Sequence, residues 1–164
     1  MRRLEFFFDY ECPFCKRGHE YLMEALKKHP GIEVIWKPCE AHPRPEDHPN
    51  HTDLCIQGYY QVAETGGDVL TYHERLYDAI HKDRINIEDL DTLAAYVADI
   101  TDDGYKAAIK ENKYADKLAE GNNYAYEKNE VWFLPAFRMD GKKLDAAGGV
   151  GVTREQVEEF LEGN

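Results

Sequence analysis

Two cysteines, Cys12 and Cys15, stand where a short aromatic run ends and a helical pattern begins, and this placement constrains the fold more than any other feature. Arg3-Leu4-Glu5-Phe6-Phe7-Phe8 is short and rich in aromatics, as expected of a strand buried on at least one face. Asp9-Tyr10-Glu11 turns the chain. From Pro13, a residue suited to an early helix position, Phe14, Tyr21, Leu22, Ala25 and Leu26 share one apolar face until His29-Pro30-Gly31 ends the pattern. Ile32-Glu33-Val34-Ile35-Trp36 reads as a second strand. A helix between two strands is the usual right-handed crossover of a parallel pair, so the cysteines fall on the first turn of a crossover helix.

The stretch from Pro38 to Asp53 holds four prolines and three histidines, and reads as a loop. From Asp53 to about Asn129 apolar residues recur at helical spacing, in the sets Leu54, Tyr59, Val62, then Val69, Tyr72, Leu76, Ile80, then Leu90, Leu93, Tyr96, Val97. Asn86 and Thr101 look like N-caps, and Gly121-Asn122-Asn123 like a break, giving roughly four helices. The run from Trp132 to Met139 resumes strand character. Asp140-Gly141 is a strong hairpin signal into Lys142 to Asp145. A last helix should be capped by Thr153 with Gln156 in a capping box, burying Val157, Phe160 and Leu161. The order is β, α, β, a helical block, β, β, α.

At 164 residues, with 43% hydrophobic and 32% charged side chains, the chain suits a globular domain with a sizeable core. No apolar run approaches a membrane span. The net charge of −12 offers no cationic surface for nucleic acid or anionic membrane, so neither is an expected partner. The first apolar run is short, breaks at Asp9 and lacks a small-residue cleavage site; it reads as a strand rather than a leader, and a cytoplasmic protein is expected. Four cysteines are too few for a disulfide scaffold. In a reducing compartment a C-x-x-C signals redox chemistry or half of a metal site. Cys39 and Cys55 carry no motif and read first as buried thiols. Two sharper readings remain: an accessory disulfide between them, or a zinc site with His42, His48 and His51, since Cys39-x-x-His42 and His48-x-x-His51 have ligand-like spacing.

The element order and two motifs resemble the DsbA family of thioredoxin-fold proteins. Phe8-Asp9-Tyr10-Glu11-Cys12-Pro13-Phe14-Cys15 resembles the start of the cytoplasmic FrnE-like branch and of the related 2-hydroxychromene-2-carboxylate isomerases. Leu134-Pro135-Ala136-Phe137, with its Asp140-Gly141 turn, resembles the cis-proline segment that presents main-chain groups to an extended substrate in that family. The resemblance implies an α/β, thioredoxin-like fold with an all-helical insertion between the βαβ and ββα halves. The expected divisions are residues 1–52 for the N-terminal half and its loop, 53–129 for the insertion, and 130–164 for the C-terminal half.

A helix N-terminus stabilises negative charge, and the thiolate is the attacking species, so Cys12 is the expected nucleophile, with a pKa below the ordinary value of about 8.5. Cys15, one turn inward, is the expected resolving thiol. Pro13 and Phe14 tune the pair, and they join Leu134 and Pro135 as substrate-binding candidates. Leu134, larger than the residues common there, would narrow the groove. Phe14 stands where strongly oxidising members of the family carry histidine, so the potential should be less oxidising than the roughly −120 mV of DsbA. Asp9 and Glu11 are candidates for proton transfer, for like-charge repulsion of the thiolate, or for mere turn residues; Lys37 is a candidate cation or simply a solvated one. Three classes of function fit. The first is a thiol-disulfide oxidoreductase acting on protein or small-molecule substrates, with no cofactor beyond its two cysteines and no metal. The second is a glutathione-dependent isomerase or transferase, although such relatives commonly place serine at position 12, and glutathione would enter either as a co-substrate. The third is a metal-binding or partner-binding module without turnover.

Overall fold

The computed structural model describes residues 1–163, which divide into two compact units. One comprises Met1–Cys39 and the chain from Asn123 onward; the other is Glu40–Asn122.

The first unit is built on a four-stranded sheet of order β2-β1-β3-β4. β1 (Arg2–Phe8) and β2 (Ile32–Pro38) pair in parallel, linked by α1 (Pro13–Leu26), as the βαβ pattern requires. β3 (Ala136–Met139) returns antiparallel to β1, and β4 (Lys142–Asp145) completes a hairpin. Asp140 and Gly141 both adopt positive φ, 54° and 76°, which a two-residue turn of this hand demands and which Asp-Gly tolerates. Phe6 anchors the core, its ring 5.5 Å from Phe8 and 5.0 Å from Phe137, with Trp36 edge-on at 5.8 Å. α7 (Arg154–Glu162) packs on α1 and starts with the expected capping box, Thr153 accepting from the Gln156 N–H at 3.1 Å and Gln156 from the Thr153 N–H at 2.8 Å.

The strand expected from Trp132 begins only at Ala136. Pro135 has no N–H for a ladder, and Trp132 and Phe133 carry β-forming side chains without a paired strand.

The second unit is helical: α2 (Asp53–Glu64), α3 (Val69–His81), α4 (Leu90–Tyr96), α5 (Tyr105–Lys110) and the greater part of α6 (Ala115–Asn123). That is five helices where periodicity suggested roughly four. α4 is capped by Asp89, whose carboxylate accepts from the Thr92 N–H at 3.0 Å, not by Asn86, which bonds the Glu88 N–H inside the preceding turn. Thr101 donates back to the Val97 carbonyl, and α5 starts from Gly104 instead. Nor does the chain break at Gly121-Asn122-Asn123: α6 runs through it and widens into a π turn, Tyr124–Lys128. The Asn122 amide is occupied by Glu40, accepting from its N–H at 2.7 Å and donating to its carboxylate at 3.0 Å, so it does not compete for helix backbone. Among the described residues no helix is long and apolar enough to cross a membrane.

Candidate active site

Cys12 is the N-cap of α1, extended at φ −80°, ψ 116°, with Pro13 opening the helix where a missing N–H costs nothing. Its Sγ accepts the Cys15 N–H at 3.3 Å, so the sulfur takes the place of the usual capping oxygen. A hydrogen bond from the Cys15 side chain does most to hold the Cys12 thiol below its ordinary range. The backbone N–H groups of Cys15 and Phe14 add to this, while burial and the Glu11 carboxylate oppose it. Cys15 is the reverse. Fully buried, it is pushed well above the thiol range by desolvation and by the facing Cys12 sulfur. The Cys12 thiol is therefore lowered and partly exposed, the Cys15 thiol raised and covered.

The Leu134–Pro135 bond is cis. The Cys12 thiol donates to the Leu134 carbonyl at 3.8 Å, bringing the segment expected to face the cysteines into contact with the first of them. The Leu134 side chain itself is buried, so it is the main chain that this residue offers at the site. Close approach of the segment to α1 depends on Gly18: a Cβ there would come within 2.8 Å of the Pro135 ring. Phe14 lies against Gly151, where a Cβ would sit 3.0 Å from that of Phe14, and the Arg17 guanidinium is 5.7 Å from its ring centroid.

Residues 3–162 match the DSBA-like thioredoxin domain family. The chain belongs to that family. It is 25% identical to the uncharacterised protein YwbO of Bacillus subtilis, over 91% of this chain and 92% of that one. Its fold is DsbA-like: a probable DsbA oxidoreductase from Streptomyces coelicolor superposes with a TM-score of 0.84 at 14% identity, covering 99% of this chain and 89% of that one. The cytosolic disulfide reductase DsbM of Pseudomonas aeruginosa superposes at 0.73 with 15% identity, covering 98% and 97%. These likenesses reach the DsbA-like level and no finer branch.

In this DsbA-like frame the remaining candidates separate. Asp9 is no rim residue: it is buried, and its charge acts to raise the Cys15, Cys39 and Tyr126 pKa values. Glu11 is half buried and acts on Cys12. Lys37 is committed elsewhere, 3.8 Å from the Glu5 carboxylate and 4.6 Å from the centroid of the Tyr124 ring. Cys39 and Cys55 are both buried free thiols. Cys39 points at the Phe8 carbonyl, 3.8 Å away, and desolvation drives its pKa far up. His51 commits both ring nitrogens, one to Glu88 at 2.9 Å and one to the Glu46 carbonyl at 2.6 Å, which leaves no lone pair for a metal. His42 and His48 instead stack face to face at 3.8 Å.

His19 went unnoticed in the sequence. It is buried one turn beyond Cys15, its ring 5.7 Å from Trp36, and burial lowers its pKa to about 4, so it is neutral at pH 7. The available signal was its position, i+4 from Cys15 on the buried face of α1.

Proposed function

We propose that this chain is a thiol-disulfide oxidoreductase in which Cys12 attacks and Cys15 resolves. The observation that carries the reading is the opposed setting of the two sulfurs, one capping a helix N-terminus at 3.3 Å from an N–H, the other sealed beneath it. With a disulfide substrate, the Cys12 thiolate attacks one sulfur, an S–S bond forms to Cys12, and the substrate's other sulfur leaves as thiolate. Cys15 then gives up its proton and attacks the Cys12 sulfur, closing the Cys12–Cys15 disulfide and releasing the second substrate sulfur. The substrate gains two electrons, which the protein's dithiol loses; a dithiol reductant restores the pair. The reverse sequence oxidises a dithiol. The substrate is a protein or small-molecule disulfide.

A reducing, cytoplasmic setting belongs to the same proposal, supported by the likeness to a protein described as a cytosolic disulfide reductase and by Phe14 standing where a cation would favour the reduced pair.

Trapping tests the roles. Cys15→Ser should accumulate a mixed disulfide through Cys12, whereas Cys12→Ser should accumulate none, and iodoacetamide should label Cys12 with a pH midpoint below about 8.5. Equal trapping by the two variants, or a midpoint at or above the ordinary thiol value, would contradict the assignment.

A further inference from the structure

Away from the cysteine pair, the sheet unit carries a cleft of about 400 Å³, the size of a small-molecule site, that the thiol chemistry does not use. The strand register builds it. Glu5 of β1 stands opposite Arg138 of β3, which stands opposite Lys143 of β4, and Arg3 lies two residues from Glu5, so all four share one face of the sheet. They line the cleft together with Asp140 and Lys142 of the hairpin. The cysteines lie beyond the other end of β1, which runs about 17 Å from Arg3 to Phe8 before the chain turns into Cys12.

The charges on this face do not cancel. Arg138 and Lys143 are directly opposed cations on neighbouring strands, an arrangement that costs stability unless an anion joins them. The Arg138 side chain is only 12% exposed and spends three of its five N–H donors: Nη1 on Asp145 at 2.6 Å and the Phe137 carbonyl at 3.0 Å, Nη2 on the Asn129 carbonyl at 2.9 Å. Its Nε–H and one Nη2–H remain. Lys143 pairs with no carboxylate among the described residues. Both carboxylates of the lining are engaged from outside it: Glu5 accepts from the Tyr124 hydroxyl at 2.6 Å and lies 3.8 Å from Lys37, while Asp140 accepts from the Arg2 Nε–H at 2.9 Å. Arg3 stands 3.8 Å from Glu33, and Lys142 donates to the Gly163 carbonyl at 2.6 Å. With these partners included, six cations meet four carboxylates, an excess of two positive charges on a chain of net charge −12.

We propose that this cleft binds a phosphate-bearing small molecule, its dianionic group held by Arg138, Lys143 and Arg3. The excess matches the nearly two negative charges of a phosphate monoester at neutral pH, where a monocarboxylate supplies one. A guanidinium with open donors beside a lysine ammonium suits phosphate oxygens. The cleft is larger than one phosphate group and leaves room for the rest of the molecule. The proposal stands apart from the oxidoreductase reading.

Isothermal titration of the full chain with inorganic phosphate and glycerol 3-phosphate, at constant ionic strength, is the test, with succinate as the dicarboxylate comparison. Both phosphates should saturate one site. Lys143→Glu and Arg3→Glu, at exposed positions, should each weaken binding about tenfold, while Lys110→Glu in the helical unit leaves it unchanged. No saturable binding, or equal weakening by Lys110→Glu, overturns the site. Succinate binding as tightly as phosphate overturns the phosphate assignment. Phosphate that slows iodoacetamide labelling of Cys12 would place the anion at the α1 N-terminus instead and overturn the proposal.

Discussion

The two compact units solve the problem of a buried interior differently. Of the eight polar or charged residues buried among those described, six lie in the helical unit (Glu40, His51, Thr52, Gln57, Gln61 and His73) and two in the sheet unit. The helical unit is keyed by hydrogen bonds: the Tyr72 hydroxyl donates to the Cys55 carbonyl at 2.8 Å and accepts from Tyr105 at 2.8 Å, while Tyr114 donates to Gln61 at 2.8 Å. The sheet unit is keyed by ring packing around Phe6, which is tolerant of direction. Its two buried polar residues, Asp9 and His19, both lie near the cysteine pair.

The sharpest way to break this contrast is to crowd one unit and trim the other. In the helical unit a Cβ on Gly58 would fall 2.5 Å from the Tyr105 hydroxyl, so Gly58→Ala should cost on the order of 3 kcal/mol despite its better helix propensity. Phe137→Leu in the sheet unit should cost only about 1 to 2 kcal/mol. Urea midpoints measure both, and a reversed order would remove the distinction.

Acid should weaken the sheet unit through His19. Its folded pKa of about 4 lies below the unfolded value near 6.5, so the unfolded chain takes up the proton first and stability falls as pH drops from 6.5 towards 4. The expected loss by pH 4.5 is about 2 to 3 kcal/mol, and His19→Gln should abolish that part of the dependence; an identical acid limb in the variant would contradict it. Smaller still, Tyr72→Phe should cost about 1 to 2 kcal/mol by stranding the Tyr105 hydroxyl that donates to it. A neutral result would mean the helical core is held by packing after all.

The same contrast explains what was legible in the sequence. β1, α1, β2, the Asp140-Gly141 hairpin and the Thr153 capping box follow from local signals, period, cap and turn, that tertiary contacts only reinforce. In the helical unit the boundaries turn on which of several Asp, Asn and Thr residues finds a backbone partner. Asp89 wins over Asn86 because the Thr92 N–H lies three residues ahead in the helix, a choice that periodicity does not encode. Trp132 and Phe133 look like a strand because propensity records the side chain and not the missing partner strand. The motif and the element order put Cys12 and Cys15 at the start of α1 and Pro135 just ahead of β3, where the structure has them. The burial of Asp9 and His19 was not legible, because burial of a polar residue is decided by what packs over it.

We propose that Cys12 and Cys15 form a working redox couple whose potential is set without a cation at Phe14. Its most direct test is equilibration of the protein in glutathione buffers, with Cys39 and Cys55 replaced and free thiols trapped. A reversible two-electron transition between roughly −270 mV and the −120 mV of DsbA is the predicted result. No Cys12–Cys15 disulfide at any poise, or a potential at or above that of DsbA, would contradict the account.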